Sequence, residues 1–169
     1  YAQLRGVLEH PALSDASPWP ITFLPQGAQY AWMRPYLVAH TNRTNYITTT
    51  LPEEGSDAPT PYAVRDWLPH LAGASAPTDF DALIGDPVRP SIGDLWHRAA
   101  SLHEGEPTRS YVKIPLGRDT SDRDLTDALT LMRLWGIRGV SITSPLKRRL
   151  AAREDVHTDL DALNTLRRT

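Results

Sequence analysis

The chain predicts an α/β fold, a mostly parallel sheet flanked by helices, and three observations predict it. From residue 80 onward, short apolar or β-branched runs alternate with segments of helical period. Proline, glycine, serine and aspartate punctuate the borders between them, where helices start and strands stop. No residue period repeats along the chain, so stacked-repeat architectures are excluded. The composition permits a buried core: of 169 residues, 40% are apolar and 22% charged.

The elements follow in order. Residues 1–13 read as the end of a helix, with Leu4, Val7 and Leu8 on one face, broken by His10-Pro11 and the 14–20 stretch. Residues 21–24 read as a strand and 28–40 as an aromatic-rich helix with Pro35 inside it. Residues 46–51 are β-branched and read as a strand, 52–61 as a loop, and 62–71 as a helix with Val64, Trp67, Leu68 and Leu71 on one side. Residues 73–79 are small and polar, with a proline, and form the best linker.

After the linker the alternation restarts with a strand at 80–84. Ser91-Ile92-Gly93-Asp94 has the form of a capping box opening a helix to about His103, with Leu95, Ala99 and Leu102 on its apolar face. Residues 111–116 read as a strand. Ser121 to Asp124 repeats the capping form ahead of a stripe of Leu125, Ala128, Leu129 and Met132, which Gly136 ends. Residues 139–143 read as a strand, Ser144-Pro145 opens a helix with proline at its first position, and a last strand begins near Asn164.

Charge and composition exclude several functions. The net charge is −2 with both signs dispersed, which lacks the basic stripe of nucleic-acid binders, and Lys147-Arg148-Arg149 reads as a solvated helix face. The absence of cysteine excludes disulfides and thiolate metal sites. No apolar run approaches a membrane span and no signal peptide is visible, which suits a cytoplasmic protein. The start at Tyr1 and the stop at Thr169 read as cuts in a longer chain.

In open parallel sheets, ligands collect at the carboxyl ends of strands. Three such ends stand out: Gly85-Asp86-Pro87-Val88-Arg89-Pro90-Ser91, Ser141-Ile142-Thr143-Ser144-Pro145-Leu146-Lys147, and Asn164-Thr165. Their hydroxyls, amide and single ammonium suit a small polyhydroxylated acid. Each has a plainer reading: Ser91 as a helix cap, Thr143 as a strand-end hydrogen bonder, Asn164 as a turn residue and Lys147 as a surface charge. Arg34 reads as a helix-surface charge, His97 as a packed or solvated helix residue rather than a ligand, and Trp32, Trp67, Trp96 and Trp135 as core or interface fillers.

These segments resemble the N-terminal, substrate-binding domain of shikimate dehydrogenases from Ala82 to Thr169, within a domain read as residues 80–169. The family's glycine-proline turn and serine motif match residues 83–97. Its Gly-x-Asn-Val-Thr-x-Pro-x-Lys segment matches Gly139 to Lys147, and its Ala-Val-Asn-Thr matches Ala162-Leu163-Asn164-Thr165, in order and spacing. The resemblance implies NADP-dependent interconversion of 3-dehydroshikimate and shikimate. It places Lys147 as the catalytic proton-relay lysine and Ser91, Ser141, Thr143 and Asn164 as substrate-binding residues. The chain departs from the pattern at Gly93, Asp94 and Ser141, where the family has serine, proline and asparagine. The family's catalytic aspartate and nucleotide-binding domain follow the last motif, and no Gly-x-Gly-x-x-Gly occurs here, so this chain alone is expected to bind no NADP.

Residues 1–75 resemble the last part of a type I dehydroquinase barrel, with Asp57-Ala58-Pro59-Thr60-Pro61 at its substrate-covering loop. Two βα units cannot close a barrel, so this would be a partial segment. Together the resemblances imply a piece of a fused dehydroquinase–shikimate dehydrogenase, partnered by shikimate, 3-dehydroshikimate or quinate and by its own nucleotide-binding domain. The competing expectation is an inactive shikimate- or quinate-binding regulatory module.

Overall fold

Asp79–Gly85 forms strand β1 in a computed structural model that describes residues 30, 32–33, 79–106, 109–156 and 161–167. The chain divides into two compact units, residues 1–78 and 79–169. In the first, Met33 is helical, and it and Trp32 are buried. The other expectations for residues 1–78, including Arg34, Trp67 and the 57–61 loop, lie outside the described residues.

The second unit is an α/β sheet layer. After β1 come helix α1 (Gly93–His103), strand β2 (Arg109–Pro115), helix α2 (Asp122–Leu134), strand β3 (Ile137–Ile142), the short helix α3 (Leu146–Ala151) and strand β4 (Thr165–Arg167). The strand order is β2-β1-β3-β4; β1 pairs parallel with both neighbours, and β4 returns antiparallel to β3. The sheet is therefore mostly parallel, as the alternation of runs predicts.

Strand alternation sorts the side chains onto two faces. Phe80, Ala82, Ile84, Val112, Ile114, Val140 and Ile142 are buried on one face. Helix α2 packs against β3 and buries Leu125, Ala128, Leu129, Leu131 and Met132, and α3 buries Leu146 and Leu150. Ser121 caps α2 as expected, accepting the Asp124 N–H at 3.1 Å, and Gly136 follows its end with φ 73°.

The other face is polar. One row across it reads Lys113, Leu83, Ser141, Thr165, and the next reads Tyr111, Asp81, Gly139, Arg167. Helix α1 packs against β2 on this face, where Asp94 meets Lys113 and His97 stacks on Tyr111.

Here the structure corrects two expectations. The apolar stripe of α1 does not face the sheet: Leu95 is 54% and Leu102 52% exposed, and Trp96, expected in a core or interface, is 69% exposed. The stripe turned inward is Asp94, Arg98 and Ser101, which also has helical spacing, while His97 stacks on Tyr111 and stays exposed. The reason is that the sheet surface beneath offers a phenol and an ammonium. Ser91 also lies one residue ahead of the N-cap, which is Ile92; its hydroxyl oxygen accepts the Gly93 N–H at 3.1 Å. A third, smaller difference is at α3, where Pro145 is the N-cap rather than the first helical residue.

Candidate functional site

The loops that leave β1 and β3 lie against one another. Asp86 N–H donates to the Ser144 carbonyl at 2.7 Å, and Thr143 N–H to the Ile84 carbonyl at 2.9 Å. Gly85 permits this contact: with φ 132°, a Cβ there would come within 2.5 Å of Thr143 Cγ2 and 2.7 Å of the Ser144 carbonyl oxygen. The first two predicted strand ends are thus held together by their backbones.

The third joins them through Lys147. Its ammonium donates to Asn164 Oδ1 at 2.6 Å. The backbones repeat the link: Leu163 N–H donates to the Lys147 carbonyl at 3.1 Å, and Ile142 N–H to the Asn164 carbonyl at 2.7 Å. A half-buried lysine, an exposed asparagine and Thr143, half-buried at the end of β3, therefore share one rim of the sheet. An ammonium held by an amide oxygen still has protons to donate to a ligand oxygen, or to stabilise one that becomes negative.

Ser141 and Ser91 take their places on the polar face. Ser141 lies two strands from Tyr111, across β1, and its hydroxyl acts on the Tyr111 phenol. Burial pushes the Tyr111 phenol above its ordinary value; the Ser141 hydroxyl opposes that, and the carboxylates of Asp81 and Asp94 add to it. Ser91 is tied to β2, its carbonyl accepting from the Lys113 ammonium at 2.6 Å. The same ammonium stands 2.9 Å from Asp94 Oδ1, an enclosed oxygen whose contact is ionic rather than a directed hydrogen bond. A Cβ at Gly93 would lie 3.3 Å from Ser91 Oγ and 3.5 Å from the Tyr111 ring.

The structure thus brings Lys147 to Asn164 beside Thr143, and Ser91 and Ser141 to a cluster built around Tyr111. Sequence reasoning missed Tyr111 and Lys113. The signal was present: Tyr111-Val112-Lys113-Ile114 alternates, so both polar side chains share a face. Alongside, a cavity of about 660 Å³ is lined by Asp81, Arg109, Arg138, Gly139 and β4, without Lys147. Asp81 there is held by Arg109, whose NH2 is 2.7 Å away.

Among the described residues no group of three His, Asp or Glu side chains could hold a metal ion, and no helix is long and apolar enough to cross a membrane. The turns after β1 and β3 run through Asp86-Pro87 and Ser144-Pro145, which supply a carboxylate and prolines in place of successive N–H groups for a pyrophosphate.

No protein-family model matches the chain, and no curated protein does. Solved structures do. Shikimate dehydrogenase from Aquifex aeolicus aligns at 22% identity and TM-score 0.46, over 55% of this chain and 35% of that one. The Thermus thermophilus enzyme, solved with NADP(H) and shikimate, aligns at 28% identity and TM-score 0.43, over 54% and 34%. The dehydroquinate dehydratase and shikimate dehydrogenase of S. pombe aligns at 20% and TM-score 0.42, over 84% of this chain and 26% of that one. The chain thus spans about a third of the single enzymes (35% and 34%) and 26% of the fused one. These three solved structures are shikimate dehydrogenases, one of them joined to a dehydroquinate dehydratase.

Proposed function

We propose that residues 80–169 are the substrate-binding part of a shikimate dehydrogenase-like protein, and that residues 1–75 are a partial dehydroquinase-like segment ahead of it. The observation that carries this reading is the 2.6 Å hydrogen bond from Lys147 to Asn164, which unites two motif residues 17 positions apart beside Thr143. On this reading Lys147 holds and hands over a proton at the ring oxygen that reacts. Asn164, Thr143, Ser141 and Ser91 orient the ring's other oxygens. NADP belongs to the nucleotide-binding domain of the parent protein, and a cytoplasmic setting is part of the same reading.

The test is thermal denaturation of the 169-residue chain with millimolar shikimate, 3-dehydroshikimate or quinate. Binding raises Tm by mass action, about 2.7 kcal/mol at a hundredfold excess over Kd. Lys147→Ala is expected to abolish the shift, and no shift with any of the three ligands would defeat the proposal. The second reading, a regulatory module that binds without turnover, is favoured by the departures from the family pattern at Gly93, Asp94 and Ser141. A parent protein that shows the shift but never oxidises shikimate with NADP would support that second reading.

A further inference from the structure

We infer that the cavity beside β4 is a second ligand site, built to take a hydroxylated phosphomonoester: Arg138 and Arg167 hold the phosphate, and Asp81 accepts from a hydroxyl. The cavity does not include Lys147, and the inference does not rest on the function proposed above.

The site arises from one extra residue in β3. Phe80 on β1 pairs with Ile137, but the next residue, Asp81, pairs with Gly139, so Arg138 has no partner on β1. Such a bulge breaks the alternation of faces and re-aims a side chain. Burial carries its mark: Ile137 and Val140 are both buried although three residues apart, while Arg138 and Gly139 between them are not. Arg138 thereby joins Asp81, Gly139 and Arg167, which stand in one row across β1, β3 and β4. These four, with Arg109 and the rest of β4, line a cavity of about 660 Å³, the size of a small-molecule pocket.

The three cations are unequally engaged. Arg109 is held by Asp81 at 2.7 Å and by Glu106 at 3.1 Å. Arg138 meets Asp79 only at 3.5 Å, with the two side chains 58% and 40% exposed, so solvent screens that pair. Among the described residues no ion pair holds Arg167, which is exposed on β4. Two guanidiniums therefore keep donors for an anion, in the planar fork that suits phosphate oxygens. A phosphomonoester brings nearly two negative charges at neutral pH and three acceptor oxygens, enough for both forks, where a carboxylate brings one charge.

Asp81 sets what else the ligand carries. Its side chain is 13% exposed, and both contacts from Arg109, at 2.8 Å and 2.7 Å, fall on Oδ2. Oδ1 faces Gly139, where any Cβ would come within 2.7 Å of it. Glycine there leaves Oδ1 open as an acceptor, which a ligand hydroxyl satisfies. The phosphate stays clear of this carboxylate, because two strand spacings, about 9–10 Å, separate the backbones of Asp81 and Arg167.

The experiment is calorimetric titration of the 169-residue chain at neutral pH and low salt. The probes are glycerol 3-phosphate, methyl phosphate, which lacks the hydroxyls, and glycerate, which has a carboxylate in place of the phosphate. Glycerol 3-phosphate is expected to bind at millimolar concentration or below, and the other two several-fold more weakly. Arg138→Gln and Arg167→Gln change exposed side chains and should each weaken it about tenfold. Arg123→Gln, which removes an equal charge from the exposed face of α2, should leave it unchanged. The inference fails if glycerol 3-phosphate does not bind at millimolar concentration, or if Arg123→Gln weakens it as much as the two cavity variants do. Glycerate binding as tightly overturns the choice of phosphate, and methyl phosphate binding as tightly overturns the part given to Asp81.

Discussion

At the scale of single residues, the sharpest constraint is Gly85. Its φ of 132° and the Ser144 carbonyl oxygen 2.7 Å from any Cβ leave no relief by side-chain rotation. Gly85→Ala is expected to lower stability by about 2–4 kcal/mol, read from urea unfolding, and a loss under 1 kcal/mol would contradict the contact. Tyr111 offers a pH signature. Its folded pKa is raised, chiefly by burial, so the folded state holds the phenolic proton more tightly than the unfolded chain. The associated stability is fully present below the ordinary phenol pKa and is lost as pH rises through the higher folded value. Absorbance titration at alkaline pH should show one late-titrating tyrosine that vanishes in Tyr111→Phe. Lys147 and Asn164 were legible in the sequence because each sits in a short motif at a strand end. Lys113 and Tyr111 were not singled out, because their importance comes from neighbours on other strands and on α1, which no local window contains.

At the scale of elements, the two long helices show what periodicity can and cannot tell. The stripe of α2 was legible and is buried, with Leu125 1% and Ala128 0% exposed. The stripe of α1 was equally periodic and faces solvent. Period identifies a face; it does not say whether the surface behind it is apolar. The polar side chains of Tyr111, Lys113 and Ser141 decide that, and they draw in Asp94 and Ser101 instead, with His97 stacked on Tyr111 but exposed. Substitutions should divide accordingly. Trp96→Gln on α1 should change unfolding free energy by no more than about 0.5 kcal/mol, whereas Leu125→Ala on α2 should cost about 2–5 kcal/mol. Ser121→Ala removes both the cap to the Asp124 N–H and the hydroxyl's 2.7 Å bond to Asp124 Oδ2, for an expected loss of about 1 kcal/mol. These three variants, compared in one urea series, test whether α1 and α2 bury opposite kinds of face.

At the scale of the molecule, the α/β class of the second unit follows from alternation, but the strand order β2-β1-β3-β4 does not, because alternation does not say which strand takes the centre. What the sequence did not show is that β4 turns back antiparallel, because a three-residue strand carries no direction in its own pattern. The division at 78/79 falls within the segment read as a linker. We expect residues 79–169, expressed alone, to unfold in a single cooperative urea transition; a non-cooperative melt would mean that the unit depends on residues 1–78.

The central place of β1 also bears on synthesis. It is the first strand of its sheet to leave the ribosome, yet its two partners lie downstream, the second ending at Ile142. At about 5–20 residues per second, the roughly 60 residues from the end of β1 to the end of β3 take about 3–12 s to emerge. Through that interval the apolar Ala82-Leu83-Ile84 run has no strand on at least one edge. The nascent chain is therefore most exposed to aggregation and chaperone capture before α3, which bears Lys147, has emerged.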